Sequence, residues 1–521
     1  MSLASRSPDL ARLALAVVQP GFVGETAPSW LLARLEQGLG GVALFGRNIV
    51  DPAQVARLTA QVHEANPAAL VAVDEEGGDV TRLEHLTGSS WPGNLALGAV
   101  DDVDLTERVG AEIGRSLAAA GIDLDYAPDA DVNVEAANPV IGVRSFGSDP
   151  ALVARHTAAW VRGLQSAGVL ACAKHFPGHG GTRVDSHLDV PVVDVQDPEH
   201  DPALEPFRAA VDAGVAAVMS AHIRLPVLDD RPATLVPAVM TGLLRDTLGF
   251  RGLAVSDGLE MGAVARTVGL ADGAVLALAA GVDALCIGGD TAGVETLDLV
   301  VDAVVEAVHA GRLAEERLAQ AAARVAEAAA LRDALRDRAE RADRADRADV
   351  TRGTEAAGRL GGVAHGAGRE AATRSIRVRG EVVASAQPPV LLVLEAGTNI
   401  AVGSETPVGV VTAARRRWPE VEVHRLAASD DVAAAAGESA TLAGDLPAQG
   451  GPLWLVVRDP HRHAWMDEAV RTVVATRPDV VVVDTGWPGW EPPAGTTHVV
   501  THGASWAAGE AVVALLTGGP A

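Results

Sequence analysis

The chain has little positive charge relative to its negative charge. Its 42 Lys and Arg residues stand against 68 Asp and Glu residues, which gives a formal net charge of −26. Binding to nucleic acid or to an anionic membrane needs clustered basic side chains, so this composition argues against both kinds of partner. A small or neutral molecule is the expected partner.

Long hydrophobic runs and cysteines are also scarce. The apolar stretch at residues 10–22 is interrupted by Arg12 and lacks a small-residue cleavage site, so no signal peptide is predicted. No stretch approaches the roughly 20 apolar residues of a membrane span. The two cysteines, Cys172 and Cys286, lie inside apolar runs, which favours buried thiols in a reducing compartment over a disulfide framework. We therefore expect a soluble, cytoplasmic protein.

The chain is long enough, with 521 residues and 48% apolar content, to predict at least two domains. Short apolar runs alternate with stretches of helical periodicity through the first 330 residues. The runs are ALAVV, GGVALFG, ALVAVDEEGG, GIDLDYAPD, GVLACAKHFPG, AAVMSAHI, GLAVSDGLEM and DALCIGG. Continuous apolar strands that alternate with helices indicate a parallel sheet covered by helices, and eight such units predict an α/β fold of the (β/α)8 TIM-like barrel type over residues 1–335.

The composition changes after the predicted barrel. An Ala/Arg/Glu-rich helix and a Gly-rich segment predict a linker over residues 336–375. Further apolar runs, PVLLVLEAG, PLWLVVRDP, DVVVVDTGWP and THVVTHG, alternate with helical stretches in residues 376–521. They predict a smaller C-terminal α/β domain of the sandwich type.

Ionisable residues follow the predicted barrel strands where each strand ends. They are Asp74, Asp125, Lys174, His175, His222 and Asp257. Barrels of this type carry their active sites at the carboxyl ends of the strands. These side chains are therefore predicted to lie at the catalytic face.

The stretch KHFPGHGGTRVDSH, residues 174–187, has the highest density of ionisable residues among these sites. His175 and His179 have the spacing of a helical zinc site, but Pro177 and the nearby glycines forbid a helix. A loop could still gather His175, His179, Asp185 and His187 around a metal. Alternatively, Asp185 and His187 point the same way in an extended loop. The carboxylate can then orient the imidazole and favour its protonated form. Taken alone, the motif is also compatible with a surface Asp–His pair.

Five ordered motifs carry a resemblance to a known family. They are VAVDEEGG at 71–78, NPVIGVRSFGSDP at 138–150, AKHFPGHG at 173–180, DSH at 185–187 and VSDGLEMGA at 255–263. With them the chain resembles glycoside hydrolase family 3, in particular its β-N-acetylglucosaminidase branch.

The resemblance implies a role for individual residues. It makes Asp257 the nucleophile, His187 the acid/base and Asp185 the partner of His187. The sugar-binding residues that it implies are Asp74, Arg82, Arg144, Lys174 and His175. No cofactor and no metal is expected. One departure concerns Asp79, since many relatives carry arginine directly after the EGG of the first motif.

The function implied by the resemblance is a retaining exo-β-N-acetylglucosaminidase with a covalent glycosyl-aspartate intermediate. A phosphorylase that passes the same intermediate to phosphate, a metal-dependent hydrolase and a non-catalytic amino-sugar-binding protein are the alternatives. A route through the substrate's own acetamido group is disfavoured because the SD motif already supplies a nucleophile. Whether the natural substrate is a muropeptide of peptidoglycan recycling or a chitin oligosaccharide is left open, as is the oligomeric state.

Overall fold

The computed structural model describes residues 7–186, 190–289, 293–350, 366–396, 401–403, 405–427, 437–439, 441, 444, 451–477 and 479–519, with only the backbone described over 345–350. These residues form two compact units that interlace along the chain. Unit 1 draws on Met1–Glu75, Thr106–Val132 and Ser148–Ala364, and unit 2 draws on Glu76–Leu105, Asn133–Gly147 and His365–Ala521. The predicted domain limits, 1–335, 336–375 and 376–521, stay a prediction. They divide the chain into consecutive segments, whereas the two units draw on alternating ones.

Within the described residues, unit 1 contains eight short strands. They are β1 Val18–Pro20, β2 Gly41–Ala43, β3 Leu70–Val73, β4 Leu124–Asp125, β5 Leu170–Phe176, β6 Ala217–Ser220, β7 Leu253–Ser256 and β8 Leu285–Ile287. Strands β2 to β7 form one parallel sheet in chain order, and β1 pairs in parallel with β8. A parallel bridge between Val255 and Ala284 links β7 to β8, and β1 lies beside β2. The strands follow one another around a (β/α)8 barrel, as predicted.

Helices separate the strands of unit 1. The helices are α1 Pro8–Ala16, α2 Ser29–Glu36, α3 Pro52–Ala65, α5 Val103–Ala119, α6 Pro150–Ser166, α7 Glu205–Asp212, α8 Gly262–Ala265, α9 Leu270–Ala280, α10 Val294–His309 and α11 Glu315–Val350, with a π-helical segment at Ala238–Thr247. Short 3-10 turns lie at Gly46–Asn48, Pro198–His200, Pro202–Leu204 and Ala233–Leu235. The described helices include none with both the length and the apolar character needed to cross a bilayer.

Alternate strand residues fill the barrel interior. Leu70 and Ala72 of β3 share a buried cluster with Cys172 of β5 and Cys286 of β8. Both thiols are buried and free, as expected for a chain without a disulfide framework. Since parallel strands are covered on both faces, every residue of β1 to β8 is buried, which explains their continuous apolar sequence.

Unit 2 is built on a second, six-stranded sheet. Its strands are β9 Arg377–Arg379, β10 Val390–Glu395, β11 Glu422–Ala427, β12 Leu453–Val457, β13 Val481–Asp484 and β14 Thr497–Val500, in the spatial order β11-β10-β12-β13-β14-β9. All pairs are parallel except β14 with β9. The helices are α4 Asn94–Val100, α12 Gly366–Ser375, α13 Gly409–Arg417, α14 Ala464–Thr476 and α15 Trp506–Thr517, with 3-10 turns at Gly142–Arg144 and Pro460–Arg462.

Helices cover both faces of this second sheet. On one face, Met466 and Val470 of α14 pack against Leu392 and Leu455. On the other face, α13 and α15 pack against the strand residues that point the opposite way, such as Leu391. Unit 2 is therefore an α/β sandwich with the sheet as its middle layer, as predicted for the C-terminal domain.

Three local expectations differ from the structure. The run ALAVV, residues 14–18, was expected to be the first strand, but α1 occupies it as far as Ala16 and only Val18 enters β1. Pro8 starts this helix and the buried Leu10 and Ala14 lie four residues apart, so helical periodicity determines the element. The other two differences are β9 and β11, which had not been predicted because their residues are mostly exposed and charged.

Candidate active site

The predicted polar residues of unit 1 lie where their strands end. Asp74 follows β3, Lys174 and His175 lie in the last half of β5, and Asp257 follows β7 directly. Asp74 and Asp257 both lie close enough to the Cys172 thiol for their charges to raise its pKa, after the larger effect of burial. The same two carboxylates act on the Cys286 thiol, whose pKa burial raises most. Two of the predicted carboxylates therefore converge at this edge of the barrel.

Lys174 and Asp74 form a direct ion pair. Lys174 Nζ lies 2.6 Å from Asp74 Oδ1. The lysine side chain is 2% exposed and the aspartate 24%, so the pair presents its carboxylate side to solvent. A charge-assisted hydrogen bond of this length fixes both groups, and such a pair offers donors and acceptors together to a ligand hydroxyl.

Asp131, which was not singled out from the sequence, holds His175 in place. His175 Nδ1 lies 2.7 Å from Asp131 Oδ2, and Asp131 also accepts the backbone N–H groups of His175 and His179. Burial alone raises the pKa of Asp131, but the charge and hydrogen bond of His175, together with His179, lower it overall. An ionised Asp131 needs a proton on Nδ1, so the Nε2 edge of His175 is turned away from it.

Asp129 lies beside this pair and raises the question of a metal. Ligand atoms of Asp129, Asp131 and His175 all lie within 4.8 Å of one another. However, the Asp131 oxygen nearest His175 already accepts its Nδ1–H, and the second oxygen accepts the His179 amide at 2.5 Å. A metal would have to displace the ring bond, so we interpret the cluster as a hydrogen-bonded support. The stretch APDADVN after β4 is the sequence signal that could have drawn attention to it.

His179 is engaged within the loop. Its Nδ1 lies 2.8 Å from Thr182 Oγ1 and its Nε2 lies 3.0 Å from Ser186 Oγ. Burial lowers its pKa to about 4, so the ring is neutral at pH 7. Because both nitrogens face hydroxyl groups, His179 is not placed to join the metal set considered for this loop. It instead fixes the loop that leads to Asp185.

The predicted acid/base lies at the end of the same loop. His187 is outside the described residues, so its pairing with Asp185 stays a prediction. Asp185 itself is partly buried, and its neighbour Ser186 is buried against His179. The hydrogen bond from His179 therefore fixes the position of Ser186, next to Asp185.

The turn that carries Asp257 is held from two directions. Asp257 is half-buried, and its Oδ1 accepts the backbone N–H of Gly258 at 2.8 Å. His222 lies with Nε2 3.0 Å from the Gly258 carbonyl oxygen and Nδ1 2.8 Å from Thr234 Oγ1. His222 thus supports the turn that carries Asp257.

Glu260, three residues after Asp257, was missed by sequence reasoning. Its Oε1 accepts the backbone N–H of Gly289 after β8, and its Oε2 is buried without a hydrogen-bond partner among the described residues. Burial raises the pKa of Glu260, and the negative charge of Asp257 adds to that rise. A partly buried carboxyl beside a second carboxyl favours the protonated form. The unusual glutamate within an otherwise apolar and glycine-rich turn was the available signal.

The two predicted arginines belong to unit 2. Arg144 makes a buried, bidentate ion pair with Glu76, at 2.8 Å from Nη2 and 3.0 Å from Nε. Arg82 donates from Nη2 to the Ala401 carbonyl oxygen at 2.8 Å. Both guanidinium groups are therefore oriented by partners inside unit 2.

The EGG segment and the departure at Asp79 are also explained within unit 2. Gly78 has a φ of +65°, and a Cβ there would lie 2.4 Å from the Cα of Gly93, so only glycine fits. Asp79 is buried, pairs with Arg458 and accepts the Ala504 N–H at 2.7 Å. An arginine of the same unit, Arg458, therefore pairs with the aspartate at this position.

Comparisons with known proteins give the family of the chain. Residues 24–328 match the N-terminal domain of glycosyl hydrolase family 3. The β-hexosaminidase of Nitrosomonas eutropha is 34% identical over 291 residues, which cover 54% of this chain and 82% of that protein. β-Hexosaminidase A of Pseudoalteromonas piscicida is 34% identical over 326 residues, covering 57% of this chain and 54% of the relative, so the chain spans about half of that relative's length.

Two solved structures extend the comparison. A family 3 β-N-acetylglucosaminidase from Paenibacillus sp. is 31% identical with a TM-score of 0.80, over 98% of this chain and 97% of that one. A β-N-acetylhexosaminidase from Beutenbergia cavernae is 32% identical with a TM-score of 0.57, over 62% of this chain and 98% of that one. The barrel, its strand-end carboxylates and these matches place the chain among the glycoside hydrolases. It belongs to glycosyl hydrolase family 3.

Proposed function

We propose that this chain is a retaining exo-β-N-acetylglucosaminidase that removes terminal β-linked N-acetylglucosamine. The observation that carries the proposal is the position of Asp257 directly after β7, at the same carboxyl edge of the barrel as the Asp74–Lys174 pair. The names of the relatives, β-hexosaminidase and β-N-acetylglucosaminidase, support the choice of sugar.

The first step of the proposed reaction uses Asp257 as the nucleophile. Its carboxylate attacks the anomeric carbon while the glycosidic oxygen leaves, which forms a covalent glycosyl-aspartate with inverted configuration. The Gly258 amide and the His222–Gly258 contact fix the turn that presents the carboxylate. Because the carboxylate is already oriented, less entropy is lost on reaching the transition state.

His187 is the proposed acid/base, with Asp185 as its partner. The imidazolium protonates the leaving oxygen in the first step, and the neutral imidazole then takes a proton from the attacking water. A second attack on the anomeric carbon restores the original configuration, so the product is the β-anomer.

Five residues are the proposed contacts of the terminal sugar. They are Asp74, Lys174, His175, Arg82 and Arg144, and Asp131 fixes the ring of His175. Hydroxyls both donate and accept, so alternating carboxylate and cationic side chains suit a pyranose better than a charged ligand.

Trapping with a 2-fluoro glycoside tests the nucleophile. We expect the label on Asp257, located by peptide mass spectrometry, and an Asp257→Asn variant that loses turnover almost entirely while its circular dichroism stays unchanged. Label on another residue, or near-normal turnover by the variant, would overturn the assignment. Proton NMR of the first-formed product adds the stereochemical test, since an α-anomer would exclude retention.

The nature of the acceptor is decided by the products. In phosphate buffer, a hydrolase releases free N-acetylglucosamine, whereas a phosphorylase releases the sugar 1-phosphate. We expect the free sugar. Release of neither, with binding retained, would indicate an amino-sugar-binding protein, and loss of activity with a chelator would indicate a metal-dependent route.

A further inference from the structure

A cavity in unit 2 lies at a position that open parallel sheets use for ligands. In the order β11-β10-β12-β13, the chain runs from β10 outward to β11 and then returns to the other side of β10 with β12. The helices that follow β10 and β12 cover opposite faces of the sheet. Ligands of such folds bind in the crevice outside the carboxyl ends of the two strands where the chain order reverses.

The cavity occupies this crevice. It has a volume of about 470 Å³ and is lined by the last residues of β10 and β12 together with the residues before α13. Glu395 ends β10, Arg458 follows β12, and Pro407 and Val408 precede α13. A volume of a few hundred cubic ångströms is in the range of small-molecule sites.

Two ion pairs contribute to the cavity wall. Arg458 pairs with the buried carboxylate of Asp79, and Arg425 pairs with Glu395. The side chains of Arg458, Arg425 and Glu395 are 32%, 42% and 39% exposed, so each pair keeps part of its polar surface toward the cavity and solvent. Glu405 adds a third carboxylate to the lining.

The charges of the wall decide which ligand fits. Three carboxylates and two guanidinium groups line the cavity, so an anion would face a net negative wall and a simple cation would face two arginines. A neutral ligand with hydroxyl groups can instead accept from the guanidinium groups and donate to the carboxylates. The apolar wall from Val402, Val408 and Val456 suits the carbon face of such a molecule.

We propose that this cavity binds a neutral polyhydroxylated molecule of the size of a saccharide unit. Arg458 and Arg425 donate to its hydroxyls, and Glu395 and Glu405 accept from them. All residues that line the cavity belong to unit 2, and the residues proposed for hydrolysis and its sugar binding are not among them.

Hydrogen exchange of the full-length protein tests the site, with N-acetylglucosamine and inorganic phosphate as separate probes. We expect the sugar, and not phosphate, to slow amide exchange in peptides that contain residues 405–408 and 456–459. An Ala396→Trp variant, which fills the cavity from its rim, should abolish this protection. Arg425→Ala, at a partly exposed position, should weaken it about tenfold without unfolding the unit.

A matched control is available at the far edge of the same sheet. Arg379 forms an exposed ion pair with Glu491 on the side of β9, and Arg379→Ala should leave the protection unchanged. Protection by phosphate alone would overturn the ligand class. Absence of protection at these peptides, or its persistence in Ala396→Trp, would overturn the site. Since the readout is local exchange, failure of the proposed hydrolysis would not alter it.

Discussion

At the scale of single residues, two buried histidines at and just after the end of β5 are held by different partners. His175 and His179 are both buried, yet Asp131 holds one while hydroxyl groups hold the other. The sequence showed that ionisable chemistry gathers here, but it did not distinguish these roles. The distinction depends on Asp131, which lies far from the loop in sequence and reaches it only through the neighbouring strand order β4-β5.

Replacement of His187 tests the proposed acid/base. We expect His187→Ala to lose at least 100-fold in kcat/KM on natural oligosaccharides, because the leaving oxygen then departs without a proton. On aryl glycosides with activated leaving groups, the rate of the first step should fall only a few-fold. Pre-steady-state release of the aryl group measures that step. Equal losses on both kinds of substrate would exclude the role.

Replacement of Asp185 tests the dyad. A carboxylate next to an imidazole favours the protonated ring, so Asp185→Asn should move the alkaline limb of the kcat/KM profile to lower pH. The substitution keeps the shape of the side chain and removes only its charge. A profile over pH 5–9 on a poor leaving group measures the effect, and an unmoved limb with unchanged leaving-group sensitivity would show that His187 acts without Asp185.

The buried ring of His179 predicts an acid-sensitive fold. Its pKa is about 4 in the folded protein and about 6.5 in the unfolded chain, so the unfolded state binds the extra proton between these values. The free energy of unfolding should therefore rise with pH from 4 to 6.5, and up to about 3 kcal/mol is lost as the pH falls through this window.

Urea unfolding of the wild type and of His179→Gln at pH 7, 5.5 and 4.5 measures this slope. The variant should be less stable at pH 7 but should depend less on pH. His200→Gln is the matched control, because the His200 side chain is 80% exposed and its removal should leave the slope unchanged. A steep slope that persists in His179→Gln would contradict the assignment.

At the scale of elements, one buried carboxylate joins several parts of the barrel. Asp123 accepts the Val71 amide of β3 at 2.7 Å and lies 2.8 Å from His63 Nε2 of α3. Arg332 and Arg336 of α11 reach the same carboxylate at 3.2 and 2.7 Å. A helix that begins near residue 315 is thereby fixed to strands formed by the first quarter of the chain.

Removal of this carboxylate should be costly. Asp123→Ala leaves the Val71 amide without its acceptor and removes the buried carboxylate that faces two guanidinium groups, so we expect a loss of about 3–5 kcal/mol in the free energy of unfolding. The partly exposed pair of Asp298 with Arg34 is the control, and Asp298→Ala should cost less than about 1 kcal/mol. Chemical denaturation of both variants measures the difference, and similar losses would show that the Asp123 network is not special.

The sequence predicts buried elements better than exposed ones. The strands of the barrel are continuous apolar runs because parallel strands are covered on both faces, and seven of the eight predicted runs contain the strand expected in them. The first run differs because α1 and β1 are separated by a single residue. Strand β11 carries Glu422, His424 and Arg425 at the sheet edge and has no hydrophobic pattern. Only its hydrogen bonds to β10 define it as a strand.

At the scale of the whole molecule, the two units do not correspond to consecutive pieces of chain. Residues 76–105 and 133–147 are surrounded in sequence by unit 1 but pack with the C-terminal residues. Leu95 and Val143 from these segments form a buried cluster with Trp487. No pattern in the sequence indicates that these segments pack with the C-terminal residues, because their sequences are typical of the loops of a barrel.

Truncation tests how far unit 1 is independent. A fragment of residues 1–364 should expose Leu95 and Val143, so we expect stronger binding of a hydrophobic dye and a lower solubility than for the full chain. Addition of a fragment of residues 365–521 should reverse both effects if the two pieces associate. A soluble 1–364 fragment with no dye binding would show that these segments find other partners.

The alternation of segments along the chain also determines when unit 2 can fold during translation. Asp79 leaves the exit tunnel long before its partners, because Arg458, which pairs with it, and Ala504, whose amide donates to it, follow 379 and 425 residues later. At about 5–20 residues per second, the nascent chain spends on the order of tens of seconds with that carboxylate unmatched. These contacts of unit 2 can therefore form only after Ala504 has been translated, and translation that stops before that point yields chains whose early segments have no counterpart.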